Sequence, residues 1–199
     1  MICILIFSFC ENSHAGPIWN WLKKGLWQVA GEYHTYDNTS TLGLTSQTQA
    51  VGGVLGFRQS PKRFSWYLEG HGLSLSGKET FKDGTVNTPL TFTGYSATGC
   101  LGLIVDLNKA QSTTGRRFSI GAAGAAEYLM LQLPDKVYTK LNKDESGFLY
   151  GFDVKFEYAD NWGRVPVLFG IHYRDMTGQI VRVDQFKTSG TSITFGFQF

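Results

Sequence analysis

From Trp27 to the last residue, apolar and polar side chains alternate with a period of two. That period belongs to the extended chain, whose successive side chains point to opposite faces. In the clearest segment Val165, Val167, Phe169, Ile171 and Tyr173 share one face, and Arg164, Gly170, His172 and Arg174 the other. Phe152, Val154, Phe156 and Tyr158 likewise oppose Asp153, Lys155 and Glu157, while Phe64, Trp66 and Leu68 oppose Ser65, Tyr67, Glu69 and His71. At the end of the chain Ile193, Phe195, Phe197 and Phe199 oppose Ser192, Thr194, Gly196 and Gln198. The pattern predicts eight strands, at about 27–37, 46–59, 64–77, 91–107, 118–132, 147–160, 164–175 and 190–199. Tyr128 to Leu131 is apolar on both faces, which predicts a bulge or a strand boundary there.

The connections alternate as well. Ser60–Arg63 and Asn161–Gly163 read as tight turns, and Asn108–Arg117 as a middling one. Gly77–Leu90, Pro134–Ser146 and Met176–Ser189 are longer and polar. Short turns at one end and long loops at the other predict an all-β fold, an antiparallel up-and-down meander closed into a barrel over residues 27–199. A length of 199 residues suits this one domain. No internal repeat breaks it.

The start of the chain is different. Met1 to Phe9 is apolar and is followed by small residues at Ser13 and Ala15, the pattern of a secretory signal peptide over residues 1–15. The positive flank is missing, as expected if Met1 lies inside a longer leader; a buried first strand or helix is the other reading. Residues 16–26 then place Ile18, Trp21 and Leu22 on one helical face beside Lys23 and Lys24, which fits a short interfacial helix or an irregular lead-in. Cys10 lacks the small residue expected before a lipidated cysteine. Removal of the signal would leave Cys100 alone, without an internal disulfide.

An alternating barrel can bury its apolar face or turn it to lipid. Composition chooses. Charged residues are 17% of the chain, against roughly 25% in soluble domains. The polar face is mostly Ser, Thr, Gly, Ala, Gln and Tyr, with almost no Lys, which is a poor coat for a water-facing surface. Eight strands enclose only enough space for side chains to fill, and aromatics such as Trp27, Phe57, Phe64, Trp66, Phe118 and Phe156 would crowd it. The apolar face is therefore expected against lipid. Lys+Arg 18 against Asp+Glu 16 leaves a net charge of +2 and no nucleic-acid footprint.

The terminal strand with Phe195, Phe197 and a final Phe199 resembles the C-terminal assembly signal of bacterial outer-membrane β-barrels. Gly151 to Asp175 resembles the penultimate hairpin of the small eight-stranded barrels of the OmpA, OmpX and OmpW type. The resemblance implies residence in the bacterial outer membrane, contact with its lipid and lipopolysaccharide, delivery by the barrel-assembly machinery and a monomeric state. It transmits place better than activity. Ile171 to Gly178 loosely echoes the His-containing motif of outer-membrane lipid A deacylases, but Arg174 stands where that family needs its serine. The lipid A palmitoyltransferases share an N-terminal helix, eight strands and an aromatic end; His34 is a candidate counterpart of their histidine. Ser76-Gly77-Lys78 stands where their Asp-Ser pair would be.

Parity places Glu32, His34, Glu69, His71, Glu127, Asp153, Lys155, Glu157, His172 and Arg174 on the lumen face, with Glu32, His34, Glu69, His71, Asp153 and Lys155 at similar middle heights. Carboxylates beside histidines suit acid–base chemistry or a metal site, yet charges inside a narrow barrel must also pair simply to be tolerated. An ionic plug in which Lys155 pairs with Glu32 or Asp153 is the simpler expectation, with no cofactor and no metal. Cys100 falls among Ser96, Thr98 and Gly102 as a buried thiol. The expected function is a structural, surface-exposed or adhesive role, or a narrow pore. A lipid A-modifying enzyme and a soluble secreted ligand-binding barrel are the alternatives.

Overall fold

A computed structural model describes residues 25–40, 45–59, 63–83, 86–108, 116–132, 144–162, 165–180 and 183–199. They form β1 (Leu26–Ser40), β2 (Thr45–Arg58), β3 (Phe64–Asp83), β4 (Val86–Asp106), β5 (Arg117–Gln132), β6 (Asp144–Trp162), β7 (Val165–Ile180) and β8 (Val183–Gln198). Each strand pairs antiparallel with the next, and β8 returns to pair with β1. Closure runs to the chain end: Trp27 N donates to Phe199 O at 2.8 Å, and Phe199 N to Trp27 O at 2.9 Å. Ladder partners followed from Val29 through Leu55, Gly70, Gly99, Ala126, Tyr150, Thr177 and Lys187 return to β1 at Thr39, ten residues beyond the start. That stagger is what tilts the strands and lets the sheet close.

The apolar face is outside. Phe64, Leu103, Phe148, Tyr150, Phe152, Phe195 and Phe197 are all exposed, while the alternating polar residues are buried within. Aromatic rings gather at two heights. Trp27, Phe57 and Trp66 cluster at the end that holds the chain termini, with centroids 5.1 and 5.7 Å apart, and Phe118 and Tyr158 meet at 4.8 Å nearby. At the other height Tyr128 packs on Phe148 at 5.1 Å, beside Tyr95 and Tyr150. Phe148 and Tyr158 both lie on β6. At about 3.3 Å per residue and a tilt of about 40°, their spacing separates the two girdles by roughly 25 Å, the height of the apolar band of a transmembrane barrel. Phe57 shares this outward parity but is 4% exposed, because the ring sits under Gly25 and between the two tryptophans.

Three expectations need correction. Gly77–Leu90 and Met176–Ser189 are not long loops: β3 and β4 pair as far as Asp83 and Val86, and β7 and β8 as far as Ile180 and Val183. Polar composition suggested loops, but ladder hydrogen bonding is indifferent to side-chain polarity and continues beyond the apolar band. Loop length consequently does not distinguish the ends, since residues 107–116 separate β4 from β5 at the terminus-bearing end. No bulge occurs at Tyr128–Leu131, where the register is continuous on both sides. The described irregularity lies between Gly178 and Ile180. Leu129 and Leu131 are inward because the lumen itself is apolar at that height. The expected signal peptide, and all of the expected helix but Gly25 and Leu26, lie outside the described residues; Leu26 opens β1.

Phe169 is an outward position near the terminus-bearing girdle. Phe169→Arg is expected to cost up to about 2–4 kcal/mol, less toward the interface, in folding into bilayers. Urea titration in lipid vesicles measures it. Single-tryptophan variants keeping Trp66 are expected to be quenched by brominated lipid, and an unquenched Trp66 would refute lipid contact at that face.

Candidate functional site: the lumen network

All ten lumen residues expected from parity point inward and are buried, none more than 3% exposed. Strand alternation places them, and three inward glycines make room. A Cβ on Gly121 would lie 3.1 Å from both the Lys155 side chain and the Tyr67 ring. One on Gly56 would lie 3.2 Å from Glu69, and one on Gly170 would meet Thr194 and stand 3.3 Å from His172.

The charges divide into layers along the barrel axis. Nearest the chain termini, Arg58 donates to Asp106 at 2.7 Å and to Ser119 at 3.3 Å, and Ser119 donates to the same Asp106 oxygen at 2.6 Å. Arg117 reaches Gln198 at 2.6 Å and Glu157 at 3.3 Å, and Gln28 donates to Glu157 at 3.3 Å. Above them Lys155 Nζ donates to Glu69 at 2.6 Å and Glu157 at 3.1 Å, and lies 4.0 Å over the Tyr67 ring. Its partners are therefore not Glu32 or Asp153 as expected. The barrel's stagger brings β3 to β6 across the lumen one layer lower than strand-by-strand counting suggests, so Glu69 and Lys155 lie below Glu32 and His34.

In the middle layer His71 Nδ1 donates to Glu32 at 2.7 Å, and His34 Nδ1 stands 3.4 Å from the same carboxylate. Asp153 accepts from His172 Nδ1 and from Arg174 Nε, each at 3.2 Å. Arg174 also lies 3.9 Å from Glu32. Glu127 closes this layer from β5, buried but not ion-paired within bonding distance among the described contacts. Cys100 is fully buried beneath it, a free thiol.

Sequence reasoning missed two things. Arg58, Asp106 and Arg117 share the lumen parity but sit at strand ends, where a charge reads as the start of a turn. The second omission is larger. Above the charges the inner face turns largely apolar: Leu73, Leu75, Phe92, Leu129, Leu131, Leu149, Met176, Ile180 and Phe186 pack with Tyr36 into one buried cluster, with Asn38, Ser46, Thr48 and Thr188 as polar residues among them. The signal was present in the blurred alternation of β5, where the apolar residues on both faces mark a lipid-facing wall and a largely apolar interior at one height.

Chemically, Thr194, His172 and Asp153 have the connectivity of a nucleophile–base–carboxylate relay. The Thr194 Oγ1 to His172 Nε2 separation is 3.5 Å, long for a working hydrogen bond. All three are at most 3% exposed. The cavity above them, lined by Tyr36, Phe92, Glu127 and Phe186 among others, holds about 10 Å³, the volume of one water molecule at most. That cavity is too small to admit a substrate to the relay. Among the described residues, no three His, Cys, Asp or Glu side chains converge as metal ligands.

A closed eight-stranded barrel, apolar outside between two aromatic girdles and ionic within, is a small barrel of the outer-membrane type. Solved structures similar to it include Neisserial surface protein A, at 11% identity over 87% of this chain and 97% of that one with a TM-score of 0.49. Another is Ail, the attachment invasion locus protein of Yersinia pestis, at 9% identity over 88% of this chain and 99% of that one with a TM-score of 0.45. No family model matches the chain, and no curated protein does.

Lys155→Ala leaves Glu69 and Glu157 without their shared cation. Losing one partner of a buried pair costs roughly 3–5 kcal/mol. The urea midpoint of the detergent-refolded barrel is expected to fall, and Lys155→Met combined with Glu69→Gln is expected to recover part of the loss. An unchanged midpoint for Lys155→Ala would mean that the network is solvated.

Proposed function

We propose that this protein is a sealed barrel of the bacterial outer membrane whose work is done by the hairpins it displays, in a surface-exposed or adhesive role. The observation that carries the reading is the double closure of the lumen. An ionic layer spans the terminus-bearing half, and the apolar cluster around Leu75, Phe92, Leu131 and Phe186 seals the other. A narrow pore and a lumen enzyme both need water-filled access that these layers deny. What remains available is the wall beyond the girdles, where β3–β4 and β7–β8 continue as paired strands. Extended hairpins hold a recognition surface rigidly, which lowers the entropy lost on binding.

Three measurements test this reading. In planar bilayers the folded protein is expected to show no discrete conductance; regular single-channel steps would restore the pore. Cells expressing the full chain are expected to bind abiotic or host surfaces more than cells expressing a variant with residues 79–90 replaced by a short turn. Equal binding would remove the display role. Deletion of Phe199 removes the two backbone bonds to Trp27 and the last outward ring. Detergent refolding of that variant is expected to survive while its outer-membrane level falls several-fold in fractionated cells. Normal levels would show that Phe195, Phe197 and Phe199 do not serve as an assembly signal.

A further inference from the structure

The two halves of the outer wall differ. At mid-height β6, β7 and β8 present Phe152, Val154, Ile171, Tyr173, Ile193 and Phe195, all exposed. At the same height the wall of β2 to β5 is almost bare, with Gly53, Gly70, Gly72, Ala97, Gly99 and Gly124 turned outward. Across β1 to β4 this leaves a groove of about 610 Å³. Its bed is Gly53, Gly70, Gly72 and Gly99, and Val29 and Leu55 edge it toward the terminus-bearing end. Directly above, on the same four strands and beyond the Tyr95 level, the wall opens into a second cleft of about 870 Å³. That one is polar. It is lined by Asp37, Thr39, Gln47, Gln49, Ser76 and Lys78.

We infer that the two depressions form one binding site for a single glycolipid molecule of the surrounding leaflet, its acyl chain lying in the glycine groove and its sugar headgroup in the polar cleft. This rests on the lipid-facing orientation of the wall and deepens the reading of the protein as a membrane barrel. Three features select the occupant. The groove is apolar and shallow, and bare backbone lets a hydrocarbon chain approach as closely as small residues let helices approach one another. The cleft begins at the girdle, where a headgroup sits. Its chemistry is hydroxyl and amide, with one cation and one anion, which suits neutral sugar hydroxyls. A phosphate headgroup would find Lys78 as the cation of the cleft, with Asp37 in the same lining and no bidentate arginine.

The test uses the full purified chain in detergent, with a neutral glycosyl diacylglycerol as the sugar-bearing lipid and phosphatidylglycerol and phosphatidylethanolamine as separate phosphate-bearing probes, read by native mass spectrometry. The sugar-bearing lipid is expected to bind at least tenfold more tightly than phosphatidylethanolamine. Gly72→Leu and Gly99→Leu fill the groove, and since nothing lies within 4 Å of a Cβ at either position, both are expected to fold. Each is expected to abolish the preference. Gly124→Leu is equally unobstructed but lies outside the groove, and is expected to retain it. Gln49→Ala with Ser76→Ala, at exposed positions, is expected to reduce binding of the sugar-bearing lipid but not of phosphatidylethanolamine.

Absence of a preference, or a preference that survives Gly72→Leu, would overturn the inference. So would a concentration-dependent dimer that Gly72→Leu abolishes, because the groove would then belong to a second copy of the chain. If Trp66 is quenched by brominated lipid while no preference exists, only this site falls. An unquenched Trp66 would remove the membrane reading beneath it.

Discussion

Backbone hydrogen bonding in hydrocarbon is the constraint on which everything else rests. A peptide group left unpaired in lipid costs several kcal/mol, so a sheet can cross a membrane only if it has no edge. The pairing of β1 with β8, completed by the reciprocal Trp27–Phe199 bonds, removes that edge. Closure with eight strands at a stagger of ten residues leaves a lumen that side chains fill. Both the ionic layers and the bare outer wall follow from how those side chains are distributed between a narrow inside and a lipid-facing outside.

Inside, the lumen carries Arg58, Arg117, Lys155 and Arg174 against Glu32, Glu69, Asp106, Glu127, Asp153 and Glu157. Charges this deep are held by direct contact, and the bonds to Asp106, Glu69 and Asp153 at 2.7, 2.6 and 3.2 Å are that contact. Buried ion pairs add little net stability over apolar packing but penalise any register that separates them. The network joins β1, β2, β3, β4, β5, β6 and β7, so a slip of one strand would strand several charges at once. The apolar cluster above it has no such directional demand. Together they give a barrel specified at one end by pairing and closed at the other by packing.

Outside, the girdles and the alternation describe a surface that lipid covers, while the glycine-rich wall of β2 to β5 departs from the bulky wall opposite. Glycine weakens a strand and packs nothing. At Gly72, Gly99 and Gly124 an added Cβ would meet no atom within 4 Å, so close packing within the barrel does not require glycine there. A surface kept bare in this way is shaped for what lies against it.

The residues along the chain determined the number of strands, the face each side chain takes and the inward placement of all ten charged and histidine positions, because a period of two leaves one choice once either face is assigned. Low charge and crowded aromatics assigned it. Which charges meet was not legible: Lys155 pairs with Glu69 rather than Glu32 because partners across a lumen depend on the stagger, a sum over every strand that no single segment encodes. The apolar upper lumen was visible only as blurred alternation at Tyr128–Leu131, where two apolar environments lie on opposite sides of one strand. The extent of β3, β4, β7 and β8 was hidden by their polar ends, since a ladder follows backbone geometry and a sequence advertises only side chains. The groove and the cleft on the outer wall belong wholly to the tertiary structure: glycines on three separate strands become one surface only when pairing brings them to the same height.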